Sequence, residues 1–261
     1  MNTMENNYQE LAKHFRAFGS AFRTTDVFRD FIELTAITLI NQYAFDEQWN
    51  ERENRYHEIR QKYAEDDFRR FPKILAALIA AVSESKRQGT FDDVLGRLYM
   101  NLNLGNPDSG QYFTPYSISK LMSGLVAQDL PEKLDTQKFV SVLEPACGSG
   151  ANLIAFAEQV QELGHIPAQR VAAMGVDIDV LCVWMCYIQC QLYRIPAKIV
   201  HGDSLTCEFW SAWCTSDWVY GGFAQAMAEK VAQEKAADGA EPPSTPASPA
   251  SLALEEQLVL F

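Results

Sequence analysis

Three short segments carry side chains that could hold a nucleoside-like ligand. In Glu144-Pro-Ala-Cys-Gly-Ser-Gly150, glycines would let the backbone approach a ligand closely at the start of a helix. Gly175-Val-Asp-Ile-Asp179 and His201-Gly-Asp-Ser-Leu205 follow further along the chain. A carboxylate at the tip of a strand can accept both hydroxyls of a ribose, and this predicts that role for Asp177. Asp203 could accept from the exocyclic amine of an adenine.

Each segment also has a plainer interpretation. The glycine segment could be a tight strand–helix turn, because a dinucleotide fingerprint would need a third glycine where Leu153 stands. The carboxylates could cap the helices that follow them, Asp179 above all. The nucleoside interpretation is favoured because all three segments follow predicted strands. Their carboxyl ends would then meet at one crevice.

The elements that position these segments alternate regularly. Strands are predicted at 139–143, 171–176 and 198–200, and helices at 151–163 and 180–193. Strand, helix, strand, helix, strand at this spacing indicates right-handed crossovers and a parallel sheet. We therefore predict an α/β fold for this part of the chain.

The flanking regions differ from this pattern. Apolar residues recur at helical spacing through residues 1–104, with one helix opened by Thr90 as its N-cap. Residues 224–237 form a helix candidate, and 238–251 are rich in proline and serine. The predicted organisation is an all-helical N-terminal domain (1–104), a sheet domain (105–223), a linker (224–251) and an apolar peptide motif (252–261). We expect the C-terminal tail to be disordered.

Composition narrows the class of protein. The net charge of −12 argues against broad, nonspecific adhesion to nucleic acid. Six cysteines without a secretory signal indicate reduced thiols in a cytoplasm, and no apolar stretch is long enough for a transmembrane helix.

The four histidines lack metal-ligand spacing, so no metal site is predicted. Cys182, Cys186 and Cys190 form a helical stripe that favours core packing over a cluster.

The glycine segment, preceded by Gly110-Gln-Tyr-Phe-Thr-Pro115, resembles the N6-adenine DNA methyltransferases. The likeness is greatest to the modification subunits of type I restriction–modification systems, and it covers about residues 90–206. It implies a Rossmann-like S-adenosylmethionine-dependent methyltransferase sheet and DNA as substrate, with target recognition supplied by a specificity or partner subunit. Thr114 and Pro115 also fit the N-cap and first position of the next helix.

The resemblance implies a cofactor role for each matching residue. Four residues would line the methionine end of S-adenosylmethionine: Gln111, Tyr112, Phe113 and Thr114. Glu144 would meet its amino group, and Gly148 and Gly150 would pass beneath it. Pro145 and Cys147 of the same segment are also expected to bind the cofactor. Asp177 would hold the ribose beside Ile178. Asp203 and Ser204 would hold the adenine.

The chain departs from the family at the catalytic signature, Asn/Asp-Pro-Pro-Tyr/Phe. That loop holds the flipped adenine, but the one Pro-Pro of this sequence, Pro242-Pro243, lies in the linker and is followed by Ser244. Asp217 with Trp218 is a weak substitute, because the shaping prolines are missing. The sheet also looks truncated after residue 223. We therefore expect weak or no methyl transfer by this chain alone.

The final residues, Gln257-Leu-Val-Leu-Phe261, resemble the peptide by which bacterial proteins dock on the sliding clamp. There Gln257 would set the register while Leu258, Leu260 and Phe261 fill the cleft. The alternative is a strand or helix that folds back on the core. These features leave three functions open: a methyltransferase-family protein of DNA modification, a mobile-element adaptor on the clamp, and an anti-restriction decoy.

Overall fold

The protein is described here by a computed structural model covering residues 3–105 and 113–237. A 3₁₀ turn (Gly19–Ala21) follows the first helix. The helices, in chain order, are α1 (Thr3–Arg16), α2 (Thr24–Ile40), α3 (Trp49–Gln61), α4 (Glu65–Phe68), α5 (Arg70–Arg87), α6 (Val94–Asn101), α7 (Tyr116–Val126), α8 (Leu130–Thr136), α9 (Ala151–Glu162), α10 (Pro167–Arg170), α11 (Val180–Tyr193), α12 (Ser216–Tyr220) and α13 (Phe223–Ala237). The strands are β1 (Val140–Glu144), β2 (Val171–Asp177), β3 (Ala197–Asp203) and β4 (Glu208–Cys214).

The four strands form one sheet in the order β1-β2-β3-β4. The first three strands are parallel and are joined by α9 and α11, which confirms the predicted α/β class. β2 is apolar and buried over 171–176, as a strand covered on both faces should be. The sequence pattern did not predict β4. The chain turns back after Asp203, and β4 pairs antiparallel with β3.

Helices cover both faces of the sheet. One face carries α9, α11 and the N-terminal helices. The other carries α12 and α13, whose Trp218, Phe223 and Met227 pack with Phe139 and Met174. Apolar residues at 223, 227 and 231 recur every four positions, so one stripe of α13 is buried. The first part of the predicted linker, up to residue 237, is therefore a packed helix.

The N-terminal helices share a continuous core with the sheet region. α2 is buried nearly all round and packs against α11. Just after α2, the Tyr43 hydroxyl lies 2.7 Å from the hydroxyl of Tyr187 on α11. The boundary at residue 104 therefore marks a change of sequence pattern, while the core continues across it. The stripe of Cys182, Cys186 and Cys190 is buried in this core, as predicted.

One helix start differs from the sequence prediction. Thr90 is not the N-cap of α6, because that helix begins at Val94. Asp93 caps it instead, with its carboxylate accepting from the Gly96 N–H at 2.9 Å. The Phe91 N–H is bound by Glu158 of α9, so residues before Asp93 are held by another element.

Among the residues that the structure describes, no helix is long and apolar enough to cross a membrane. Over the same ranges, no group of three or more histidine, cysteine or acidic side chains is placed to hold a metal ion.

Candidate functional site

The carboxyl ends of β1, β2 and β3 bring three acidic side chains to one edge of the sheet. Glu144 is aligned with Gly175 in the strand register, and Asp177 is aligned with His201, two residues before Asp203. All three acidic side chains are partly exposed at this edge. The structure therefore brings together the acidic residues of the three segments.

The glycine segment joins β1 to α9 with backbone that favours glycine. Gly148 has φ +52° and Gly150 has φ +99°, both in the left-handed region. A Cβ on Gly150 would lie 2.9 Å from the Cys186 Sγ, and one on Gly148 would lie 3.3 Å from the Phe113 ring. Phe113 therefore lies directly against the loop. Its ring also meets Tyr99 edge-on, at 5.1 Å between centroids.

Asp177 is tied to this loop through its carboxylate. It accepts the Gly148 N–H at 2.8 Å and the Asp179 N–H at 2.9 Å, through different oxygens. Each carboxylate oxygen keeps a further lone pair for a ligand donor. Burial raises the pKa of Asp177 above its ordinary value, and the two backbone hydrogen bonds oppose that shift. Asp179 caps α11 by accepting from the Leu181 N–H at 2.9 Å, as its plainer interpretation predicted.

Glu144 is oriented by a residue that the sequence analysis did not single out. The Asn152 amide donates to one carboxylate oxygen at 2.8 Å, and the Ala146 N–H donates to the other at 3.2 Å. Asn152 is the second residue of α9, two residues past the glycine segment. Only the contact itself identifies Asn152, because an asparagine at this position has many other uses.

The third strand end combines a polar turn with apolar side chains. Asp203 accepts from the Leu205 N–H at 2.8 Å, which fixes the turn into β4. Next to it, His201 Nε2 lies 3.2 Å from the Ile178 carbonyl oxygen, and its ring lies 4.6 Å from that of Trp210. Ile178 is 64% exposed and Trp210 is 51% exposed. These apolar surfaces lie around His201, two residues before Asp203, where a flat heterocycle could pack. Trp210 was missed because β4 was not predicted.

A buried polar network holds the glycine segment from behind. Asp93 accepts from the Ser149 hydroxyl at 2.6 Å and from the Gln189 amide at 2.7 Å. The same amide reaches the Ser149 carbonyl at 2.7 Å. Burial raises the pKa of Asp93, and its hydrogen bonds act against that shift. The network connects α6 and α11 to the loop, and spacing alone offered no signal for it.

Other predicted residues lie less directly at the site. The Cys147 side chain is buried against Gly175, so only its backbone faces outward, and Pro145 is exposed. Ser204 follows Asp203 in the turn. Thr114 is exposed and is not an N-cap, because α7 begins at Tyr116 with Pro115 in the cap position. Six of the predicted residues lie outside the described residues: Gln111, Tyr112, Gln257, Leu258, Leu260 and Phe261.

Asp217 and Trp218 lie at the opposite end of the sheet. β4 runs antiparallel to β3, and Cys214 at its end pairs with Lys198 at the start of β3. Asp217 is bound there by Arg194 at 2.7 Å, and Trp218 is buried beneath α13. This pair therefore lies away from the glycine loop and the three acidic strand ends.

The chain matches the family model described as N-6 DNA Methylase over residues 91–233, which is more than half of its length. The chain belongs to the N-6 DNA methylase family. No curated protein matches it. One similar solved structure, from Listeria monocytogenes, is described as a class I S-adenosylmethionine-dependent methyltransferase. It is 19% identical with a TM-score of 0.38, and the alignment covers 77% of this chain and 54% of that one. This chain thus spans about half the length of that structure.

Membership of the N-6 DNA methylase family identifies S-adenosylmethionine as the cofactor. The residues present suit that molecule. The loop around Gly148 offers backbone with no side chain in the way, Asp177 keeps lone pairs for hydroxyl donors, and Ile178 offers an apolar surface. The matched range also includes Asp93 and Gln189, so the polar network behind the loop lies within the family region.

Proposed function

We propose that this chain binds S-adenosylmethionine at the carboxyl ends of β1, β2 and β3 and acts in N6-adenine modification of DNA. The observation that carries the proposal is the convergence of Glu144, Asp177 and Asp203 on one edge, around a glycine loop covered by Phe113. A dinucleotide fold would place its third glycine at Leu153, so a methyltransferase cofactor suits the loop better.

Each side chain has a part in holding the cofactor. Glu144, oriented by Asn152, would accept from the amino group, and Asp177 would accept from the ribose hydroxyls. Asp203 would accept from the adenine amine, with Ile178 against the ring. When bound, S-adenosylmethionine supplies an electrophilic methyl group. The protein residues named here would hold and orient the cofactor that carries this methyl group.

Methyl transfer should therefore need a second component. The sequence has no Asn/Asp-Pro-Pro-aromatic loop in its methylase region, and Asp217 lies at the far end of the sheet. We propose that a partner or specificity subunit of a restriction–modification system supplies the acceptor site and target recognition. A cytoplasmic location fits this role, and the absence of a disulfide among the six cysteines favours it.

Two measurements test these statements separately. Calorimetric titration of the full chain with S-adenosylmethionine should give one site, and Asp177→Ala should remove it. A wild-type chain that does not bind would contradict the cofactor site. Incubation with tritiated S-adenosylmethionine and unmodified DNA should leave the DNA unlabelled. Robust labelling by the chain alone would contradict the need for a partner.

A second candidate function rests on residues 257–261, which resemble a sliding-clamp peptide and follow a Pro/Ser-rich segment. We propose that Leu258, Leu260 and Phe261 dock in the hydrophobic cleft of a bacterial clamp. Immobilised clamp should retain the wild-type chain and should lose the Leu260→Ala/Phe261→Ala variant. A matched Leu252→Ala variant should bind as the wild type does. Equal retention of all three chains would contradict docking through this peptide.

A further inference from the structure

Helix α7 presents two opposite stripes. The stripe that faces α9 is small and polar: Ser119 and Ser123 are buried, and Tyr116 and Lys120 bind Glu158 at 2.8 and 3.1 Å. The opposite stripe is wholly apolar and exposed. It consists of Ile118 (45%), Leu121 (61%), Met122 (47%), Leu125 (61%) and Val126 (71%). We call these five residues the α7 stripe. Spacing of three and four residues is typical of a helix face that packs on another element.

The α7 stripe lies on the same side of the molecule as a free sheet edge. Among the described residues, β1 pairs only with β2, so its outer edge has no strand partner. Leu143, on β1 itself, is 41% exposed. Unpaired backbone groups along a strand are a ready template for another strand.

The packing order of the helices shows where α7 lies relative to the free edge of β1. α9 packs on β1 and β2, and α11 packs on β2, β3 and β4. α7 packs on α9, and α8 then leads from α7 into β1. α7 is therefore the outermost helix of this layer on the β1 side. A strand added to the edge of β1 would lie beside α7, with one face available to the α7 stripe.

We propose that residues 257–261 of this chain occupy this place as a fifth strand, parallel to β1. Gln257-Leu-Val-Leu-Phe261 matches β1 in length, at five residues each. Four consecutive apolar residues suit a strand that is covered on both faces. Leu258 and Leu260 would point to one face, and Val259 and Phe261 to the other. The α7 stripe would receive one of these pairs.

The path of the chain favours this occupant. α13 leads to the tail, and its Lys230 and Gln233 line a shared cavity with Gln137, Lys138 and Phe139, at the amino end of β1. The segment 238–254 then precedes Glu255. A chain of that length, treated as a random coil, has a root-mean-square span of about 20–25 Å, which would let residues 257–261 reach β1. Such a tether holds its peptide at millimolar effective concentration, so even a weak contact would be occupied.

Charge favours the parallel direction. Lys138 and Lys230 lie at the amino end of β1, where the Lys230 Nζ is 3.3 Å from the Ser141 hydroxyl. Glu255 and Glu256 immediately precede the proposed strand. If the added strand ran parallel to β1, these two carboxylates would lie near the two lysines. If it ran antiparallel, they would lie near the carboxylate of Glu144.

This proposal goes beyond the cofactor site and does not depend on it. The proposed clamp contact uses the same apolar side chains, so the two occupancies exclude each other.

Hydrogen exchange of the full chain, read by mass spectrometry, tests the docking. The amides of Val140–Glu144 that point to the free edge, and the amides of 257–261, should be protected by the docking. They should exchange at least about tenfold more slowly in the wild type than in the Leu258→Asp/Leu260→Asp variant, because burying one leucine is worth that factor or more. Leu125→Glu in the α7 stripe should give the same loss of protection. Ile79→Glu, a matched change at an exposed apolar residue of α5, should leave the protection intact.

Equal exchange in the wild type and the tail variant overturns the proposal. Protection that disappears on tenfold dilution also overturns it, because it indicates a second copy of the chain as occupant. A thermal melt should show that Leu125→Glu remains folded, as expected for a side chain that is 61% exposed. Neither methyl transfer nor clamp binding enters these readouts. The docking proposal can therefore be contradicted while the proposed functions stand, and the proposed functions can be contradicted while the docking stands.

Discussion

The two ends of the sheet each carry a carboxylate that the sequence marks as a candidate, and the structure treats the two differently. At the carboxyl end, Asp177 is held by two backbone N–H groups and keeps lone pairs for a ligand. At the amino end, Asp217 is paired with Arg194 at 2.7 Å beside the buried Trp218. One acid is oriented and available, and the other is already bound to an arginine.

This difference shows how the structure separates a candidate site residue from a structural one. Neither residue type nor distance along the chain separates Asp177 from Asp217. The direction of the strand does, because β2 ends at the crevice while β4 leads away from it. Substitutions at the two ends should therefore differ in their effect on cofactor binding.

The largest effect is expected for Asp177→Ala. Two hydrogen bonds to a charged acceptor are worth about 1.5–3 kcal/mol each, so the affinity for S-adenosylmethionine should fall at least about 100-fold. Calorimetry provides the measurement, and Asp177→Asn should retain part of the affinity. An Asp177→Ala chain that binds as tightly as the wild type would remove Asp177 from the site.

Gly150→Ala should be the most destabilising change at the loop. The new methyl group would meet the Cys186 Sγ at 2.9 Å on backbone with φ +99°, so we expect a loss of about 2–3 kcal/mol in unfolding free energy. Gly164→Ala is the matched control, because Gly164 has φ +83° and open space around it. It should cost only about 1 kcal/mol. Equal losses in urea denaturation would show that packing against Cys186 has no role.

Cofactor affinity should depend on pH through Asp177. Its pKa is raised by burial, and the ionised carboxylate is the form that accepts from the ribose hydroxyls. Affinity should therefore fall as the pH is lowered through that pKa, above the range of an ordinary aspartate, by up to about tenfold per pH unit. The Asp177→Asn chain should lack this dependence. A wild-type profile that is flat down to the ordinary aspartate range would contradict the assignment.

Asn152→Ala should weaken cofactor binding moderately. The change removes the 2.8 Å hydrogen bond that orients Glu144, at a cost of about 1 kcal/mol or a factor of about five. Gln159→Ala on the same helix serves as control, because its amide donates to the exposed Glu162 and not to Glu144. Comparable losses in both chains would mean that general weakening of α9, and not the orientation of Glu144, lowers the affinity.

The smallest effect is expected for Asp217→Ala. Arg194 is 67% exposed, so the ion pair should contribute less than about 1 kcal/mol to stability, and cofactor affinity should not change. A tenfold loss of affinity in this variant would break the contrast between the two ends.

Sequence reasoning predicted the parallel strands and their crossover helices well, because buried β2 and α11 carry strong apolar patterns and glycines mark the turn between β1 and α9. It missed β4, whose tryptophans and polar residues give no clear strand period. It also missed Asn152, Gln189 and Asp93, since contacts between distant segments leave no trace in local spacing. The N-cap of α6 shows the same limit: Thr90 and Asp93 are both good caps, and tertiary contacts select Asp93.

The Asp93 network limits which parts of the chain could be removed or grafted onto another protein. The Asp93 carboxylate lies at the start of α6, and the Gln189 amide lies on α11. Together they hold the glycine loop at Ser149. Cutting the chain between the helical region and the sheet would leave Gln189 and Ser149 buried without their acceptor. The N-terminal helices are therefore not an exchangeable module. A graft of residues 105–223 onto another protein should carry α6 with it to keep the glycine loop in shape.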